Sequence, residues 1–252
     1  MSVRLSSYLS TIFLLLLPCF ATGQTTLTIA AAADLSTLEP ELAQQFEKTN
    51  PIRVRFVTGA SAILSQQIES GAPYDVFLSA NASFVDHLSS FGKLRPDSVA
   101  TYAVGRVGIL WKDGKRHGIN DLEGNWVRFV ALPNPNLAPY GAAALQALKH
   151  AGIWPQIQPK VVYGENVRQA LQLFESGNAD AVLTAAALLR GKNATLIPAD
   201  WHRPIVQKAG IVSGTKNLAA AQQFLDYLTS KEAQAIFAKF GFSPTPNHRP
   251  MP

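Results

Sequence analysis

The sequence is almost without cysteine, since Cys19 is the only one among its 252 residues. No disulfide can form within the chain, which excludes a disulfide-built scaffold. Charged residues are also few, at 15%, and this excludes an acidic disordered chain and a coiled coil. With 47% hydrophobic residues, the composition predicts a globular protein of one large or two modest domains.

Motifs of known catalytic and cofactor sites are absent as well. The five histidines fall at no metal-ligand spacing, and the chain has no phosphate-loop or dinucleotide-binding glycine motif. Asp75 and Asp180 each precede an apolar segment, a position typical of a structural turn rather than of an acid–base pair. We therefore expect a protein that is not an enzyme and has no cofactor.

The basic balance of the chain does not indicate a nucleic-acid surface. The net charge is +5 and the pI is about 9.4, but the lysines and arginines are scattered. Their one tight cluster, Lys112, Lys115 and Arg116 beside His117, surrounds Gly114 and is typical of a solvated turn.

The first 23 residues have the pattern of a cleavable secretory signal peptide. Arg4 precedes a short apolar stretch, and Ala21-Thr22-Gly23 supplies the small residues of a cleavage site. The mature chain is predicted to begin near Gln24 and to be exported to the periplasm. Lipid attachment at Cys19 is the alternative, but Pro18 stands where a small residue is usual. No later segment approaches the ~20 apolar residues of a membrane span.

From Leu27 onward, strand and helix patterns alternate. Val104–Trp111 is predicted as one long strand, and 205–206 and 211–212 as two late strands. A helix is predicted from Asp34, with apolar residues at helical spacing. This order favours an α/β fold with mostly parallel sheets flanked by helices.

Two strand–helix series occur, one before about residue 104 and one after it, with no glycine- or serine-rich linker between them. They predict two lobes joined by crossing strands. The first lobe combines 24–104 with 206–252, and the second spans 105–205. Ligands of parallel sheets lie beyond the carboxyl ends of the strands, so two facing lobes would form a binding cleft.

Four turns between strands and helices present small residues or bare backbone at a helix start. A helix start carries unpaired N–H groups and a partial positive charge, so several of them aimed at one point would bind an oxyanion without any lysine or arginine. Taken singly, Asp34 or Ser61 is typical of an ordinary helix cap. The four turns are 31–34, 58–61, 139–141 and 164–167.

These segments resemble the periplasmic molybdate-binding proteins. The resemblance extends over the whole predicted mature chain and is most specific in the block Gln67–Ala80, which contains Ser70-Gly71-Ala72-Pro73-Tyr74-Asp75-Val76. The segments that carry it are Thr28–Leu35, Gly59–Ser61, Gln67–Ala80, Pro139–Ala143, Gly164–Leu171 and Phe237–Phe242.

The resemblance implies a two-lobed binding protein of the double-crossover type that holds molybdate or tungstate in its cleft. It implies delivery of the anion to a membrane permease driven by an ATPase, and a monomeric protein. Ser61 would donate its hydroxyl and backbone N–H, Tyr140 and Val167 their backbone N–H groups, and the first turn would contribute at Ala33 and Asp34. The residues themselves leave open another small oxyanion such as phosphate or sulfate, or an enzyme on a similar scaffold.

Two positions depart from the family pattern. Many members have serine, threonine or asparagine in the first turn, where this chain has Ala33-Asp34, and some have a tyrosine near Leu183–Ala186, where Thr184 is the one hydroxyl. A carboxylate would repel a dianion. Asp34 is therefore expected to cap its own helix. The alternative is that it accepts a proton carried by the anion.

Overall fold

The computed structural model describes residues 24–244, so the predicted signal peptide and Cys19 lie outside the described residues. Ten strands occur in this part of the chain. They are β1 (Thr25–Ala32), β2 (Ile52–Gly59), β3 (Val76–Ser79), β4 (Ala100–Gly105), β5 (Val107–Trp111), β6 (Val130–Pro133), β7 (Val161–Gly164), β8 (Ala181–Ala185), β9 (Thr195–Leu196) and β10 (Ile205–Ile211).

Eight α-helices alternate with these strands. They are α1 (Glu39–Thr49), α2 (Ser61–Glu69), α3 (Ala82–Ser90), α4 (Pro139–His150), α5 (Trp154–Ile157), α6 (Val167–Glu175), α7 (Leu218–Leu228) and α8 (Lys231–Lys239). In the described residues, no helix has both the length and the apolarity needed to cross a bilayer.

The strands form two five-stranded sheets, which confirms the two-lobed α/β architecture. The first sheet has the order β2-β1-β3-β10-β4 and the second β7-β6-β8-β5-β9. Each sheet is mixed: its first three strands pair in parallel, and its fourth strand pairs antiparallel with both neighbours, so four of the five strands run in the same direction. We call the first sheet with its helices the first lobe, and the second sheet with its helices the second lobe.

Apolar side chains cover both faces of the first sheet. On one face Phe46 of α1 packs edge-to-face against Phe224 of α7, with 5.2 Å between ring centroids. On the other face Leu64 of α2 and Val85 of α3 are buried. A separate cluster, which includes Trp111 and Tyr140, fills the second lobe. Each lobe thus has its own core, and the cleft lies between the two lobes.

The predicted strand Val104–Trp111 is wrong, because the chain passes there from one lobe to the other. β4 ends at Gly105 in the first sheet, and β5 starts at Val107 in the second. Both halves are apolar and extended, so the local pattern cannot reveal the change of sheet.

The two predicted late strands are in fact one, β10, which pairs antiparallel with both β3 and β4. Gln207 lies at an inward-facing position of β10 and is fully buried. A polar residue at a core position interrupts the hydrophobic pattern, which is why the sequence suggested two short strands.

The predicted helix from Asp34 is also divided. A 3-10 turn (Ala33–Leu35) is followed by α1, which begins at Glu39 with Pro40 in its first turn. Proline is tolerated there because the first N–H groups of a helix have no partner within it.

Asp75 and Asp180 occupy equivalent positions in the two lobes and act structurally. Asp75 Oδ2 accepts a hydrogen bond from the N–H of Thr28 at 2.7 Å, next to β3. Asp180 Oδ2 accepts from the N–H groups of Arg128 and Phe129, next to β8. Each carboxylate therefore binds the backbone of a neighbouring strand, within β1 for Asp75 and just before β6 for Asp180, as the structural interpretation of these residues predicted.

We expect Asp75→Ala to lower the free energy of unfolding by about 1–3 kcal/mol, because it leaves the N–H of Thr28 without its acceptor. Urea denaturation measures the change. Asp97→Ala is the control, since Asp97 is exposed and pairs only with Arg95, and its effect should stay within about 0.5 kcal/mol. Equal effects of the two substitutions would contradict the structural role of Asp75.

Candidate functional site

A small pocket lies between the lobes, with about 190 Å³ of empty space that includes its opening to solvent. Both lobes contribute, and most of the lining residues are buried. None of them is a lysine or an arginine, and Asp34 alone carries a charge. The lining consists of Ala32, Ala33, Asp34, Gly59, Ala60, Ser61, Ala80, Ala138, Pro139, Tyr140, Asn166 and Val167.

Three α-helices start at this cavity. Ser61 is the first residue of α2, Tyr140 the second residue of α4 and Val167 the first residue of α6. At these positions a backbone N–H has no partner within its helix. Within residues 24–244, the N–H groups of these three residues also have no acceptor elsewhere. The cavity is thus lined by N–H donors from both lobes.

Neighbouring N–H groups in the same first turns are already satisfied. Ala62 donates to the carbonyl of Leu137 at 3.2 Å, a contact between the lobes. Asn166, the N-cap of α6, accepts through Oδ1 from the N–H groups of Arg168 and Gln169. In α6, capping therefore satisfies the N–H groups of Arg168 and Gln169, and the N–H of Val167 stays available to a ligand.

The Ser61 hydroxyl is positioned by a hydrogen bond in which it is the acceptor. Its Oγ accepts from the N–H of Ala80 at 3.2 Å, and the side chain is buried. A hydroxyl has one donor and two acceptor sites, so the proton of Ser61 stays free to donate into the cavity. Ser61 can thus supply both a backbone and a side-chain donor.

Asp34 belongs to a buried network that joins the lobes. Its Oδ2 accepts hydrogen bonds from the Tyr140 hydroxyl of the second lobe, at 2.9 Å, and from Nε2 of Gln207 in the first. Gln207 in turn accepts from the Tyr102 hydroxyl at 2.7 Å. The expected capping is wrong: Ala32 is the N-cap of this 3-10 turn, and no side chain caps it. The carboxylate is drawn instead to two strong donors in the interior.

The Tyr140 hydroxyl reaches this network because Gly105 leaves space for it. A Cβ built on Gly105 would collide with the hydroxyl oxygen and lie 2.7 Å from Cζ of the ring. The glycine at the crossing between the lobes is therefore required by close packing.

Two carboxyl groups near the cavity hold their protons more tightly than usual. Burial raises the pKa of Asp34 to about 6, although the hydrogen bonds from Gln207 and Tyr140 oppose the shift. Burial also raises the pKa of Glu39 to about 7, against a hydrogen bond from Thr58. The negative charge of Asp34 adds to the shift of Glu39.

Comparison with known proteins agrees with this architecture. The sequence model of the family described as bacterial extracellular solute-binding protein matches residues 27–243. The chain belongs to this family. The molybdate-binding protein ModA of Rhodobacter capsulatus is 34% identical over 223 residues, which are 84% of this chain and 86% of that protein. A putative ABC transporter substrate-binding lipoprotein of Bacillus subtilis, YvgL, is 34% identical, with 86% of each chain covered.

Among solved structures, the periplasmic molybdate-binding protein of Azotobacter vinelandii superposes on this solute-binding protein with a TM-score of 0.81. It is 32% identical, and the match covers 87% of this chain and 99% of that one. The likeness therefore extends over both lobes.

All five residues that the sequence singled out, Ala33, Asp34, Ser61, Tyr140 and Val167, line the cavity of this solute-binding protein. Their part in ligand binding stays a prediction. Thr184 does not line the cavity: its hydroxyl donates to the carbonyl of Val167 at 3.0 Å, so it does not replace the tyrosine of other members.

Sequence reasoning missed the side-chain partners of Asp34. Gln207 and Tyr102 lie far along the chain from it, and the Tyr140 side chain was expected only to accompany a backbone donor. One signal was present in the sequence. Gln207 interrupts an otherwise apolar strand pattern, and a buried amide needs polar partners.

Gly105→Ala should lower the free energy of unfolding by about 1–3 kcal/mol, since the new Cβ displaces Tyr140 from its hydrogen bond to Asp34. Gly214→Ala is the matched control, because a Cβ there meets nothing within 4 Å. Thermal unfolding of the two variants tests this. If the Gly105→Ala variant is as stable as the control, Tyr140 can move aside without a loss of stability, and the packing requirement at Gly105 is wrong.

The raised pKa of Asp34 predicts a pH-dependent stability. Between its ordinary value of 3.8 and about 6, the native state binds more protons than the unfolded state. The free energy of unfolding therefore falls as pH rises through this window, by up to about 3 kcal/mol, and Asp34 adds no further change above it. Urea denaturation at pH 4 to 7 should show this decrease.

Asp34→Asn keeps an acceptor for Tyr140 and removes the charge, so the Asp34 part of the decrease should disappear in that variant. Glu39→Gln is the control: it removes the contribution of Glu39, which extends from about pH 4.5 to 7, and keeps the contribution of Asp34 below about pH 6. Identical pH profiles of Asp34→Asn and the wild type would refute the shift.

Proposed function

We propose that this protein is exported, captures molybdate or tungstate between its lobes and delivers it to an ABC importer. The observation that carries the proposal is the convergence of three free helix-start N–H groups and the Ser61 hydroxyl on a small interlobe pocket without lysine or arginine. Oriented N–H groups at helix starts bind oxyanions through hydrogen bonds and the helix dipoles.

The similarity to proteins named for molybdate binding supports this ligand. Ser61 would donate from its hydroxyl and its N–H, Tyr140 and Val167 from their N–H groups, and Ala33 and Asp34 would complete the first turn. Donors from both lobes would contact one anion. The anion would therefore stabilise the closed arrangement by binding it more tightly than an open one.

The remaining parts of the proposal follow from the family and the amino-terminal sequence. Residues 1–23 would be removed as a signal peptide, and a monomer would work in the periplasm. A membrane permease and its ATPase would receive the anion. The lobes would divide near residues 104 and 205, so that closure moves the chain between these two crossings against the rest. No cofactor takes part.

Thermal unfolding with a panel of molybdate, tungstate, sulfate and phosphate tests the ligand. An anion at a thousand times its dissociation constant should stabilise the protein by about 4 kcal/mol. We expect this with molybdate and tungstate. Stabilisation by phosphate or sulfate alone would assign the cavity to that anion, and no stabilisation by any of the four would refute oxyanion binding.

Ser61→Ala should weaken molybdate binding by about tenfold to a hundredfold, because a hydrogen bond to a charged group contributes about 1.5–3 kcal/mol. Ser65→Ala is the matched control: Ser65 is buried one turn later in the same helix and does not line the cavity. Isothermal titration calorimetry measures both. Equal affinities of the two variants would remove Ser61 from the site.

A further inference from the structure

The second carboxylate oxygen of Asp34 has no hydrogen-bond partner within residues 24–244. The side chain is 1% exposed and lines the cavity. Its Oδ2 accepts from both Tyr140 and Gln207, whereas Oδ1 is buried and accepts from no group in the described part of the chain. A charged oxygen without a donor is costly in such a place.

No positive side chain lines the cavity to offset this charge. The titratable groups that face Asp34 are Tyr102 from β4, Tyr140 from α4 and Glu39 from α1, with Arg168 of α6 beyond Glu39. Burial raises the pKa of Tyr102 and of Tyr140, so both stay neutral near pH 7. An anion entering the cavity would therefore place a second negative charge beside an ionised Asp34.

Resting on the proposed function, we propose that Asp34 takes up one proton as the oxyanion binds and then donates a hydrogen bond from Oδ1 to it. The proton comes from solvent and bonds to Oδ1, and no other bond forms or breaks. Oδ2 keeps both of its donors, Tyr140 and Gln207. The uptake converts the repelling group of the cavity into a further donor, so capture of the anion is coupled to capture of a proton.

Two physical considerations support the coupling. Burial already holds the pKa of Asp34 at about 6 without ligand, and a nearby negative charge raises the pKa of a carboxyl further. The proton state of the ligand also matters. A fully deprotonated oxyanion offers only acceptors and needs a protonated Asp34, whereas monohydrogen phosphate could donate to an ionised Asp34 and bind without uptake.

Calorimetric titration of the wild-type protein with sodium molybdate tests the coupling. At pH 8, titrations in buffers of different ionisation enthalpy should report the uptake of about one proton per anion. From pH 6 to pH 8, the association constant should fall by up to about tenfold per pH unit.

Two variants locate the proton. Asp34→Asn resembles the protonated carboxyl, so it should bind molybdate with no proton uptake and with an affinity nearly independent of pH. Glu39→Gln removes the other titrating carboxyl and should keep the uptake of the wild type. Circular dichroism checks that both variants fold. If Asp34→Asn does not fold, proton uptake measured in the wild type and in Glu39→Gln is sufficient to test the proposal.

Molybdate binding without proton uptake and without pH dependence would overturn the coupling and leave the proposed function intact. Uptake that disappears in Glu39→Gln would place the proton on Glu39 and overturn the assignment to Asp34. Failure of the wild type to bind molybdate or tungstate at any pH would overturn the proposed function, and this inference with it.

Discussion

The hydrogen bond between Tyr140 of the second lobe and Asp34 of the first holds the two halves of the site in register. The hydrogen bond is fully buried, and an unpaired polar group there would destabilise the folded protein. The residues around it must therefore keep both groups paired. Gly105 must lack a side chain, Gln207 must occupy a core position of β10, and Tyr102 must orient the Gln207 amide. The chain crosses between the lobes at this same point.

The architecture of the cavity follows from how the helices begin. Each of α2, α4 and α6 starts where a strand of its lobe has ended, so their first N–H groups meet at the facing edges of the two sheets. Some of these donors are satisfied by Asn166 and by the carbonyl of Leu137. The N–H groups that remain unpaired are few, and the helices fix their directions. Such a set suits a small anion without the desolvation cost of a buried lysine or arginine.

Much of the fold could be predicted because it rests on local patterns. Apolar periodicity located most strands and helices, and Gly152 and Gly177 end α4 and α6 at positive φ, as their positions suggested. The prediction failed where neighbours distant in sequence decide the structure. Val104–Trp111 is apolar except for Arg106, and a single polar residue within a strand pattern does not show that its halves join different sheets. Gln207 is polar in a core position, and only its distant partners explain why the strand continues.

The sequence by itself determined most of the residues that surround the cavity, since the strand–helix turns carry their small residues and helix starts as contiguous segments. The direction of each side chain was decided by the tertiary structure. Asp34 could cap its helix, accept a proton from a ligand or bond elsewhere, and the local sequence does not distinguish these arrangements. Burial against Tyr140 and Gln207 selects one of them, because an interior carboxylate must take the donors that lie within reach.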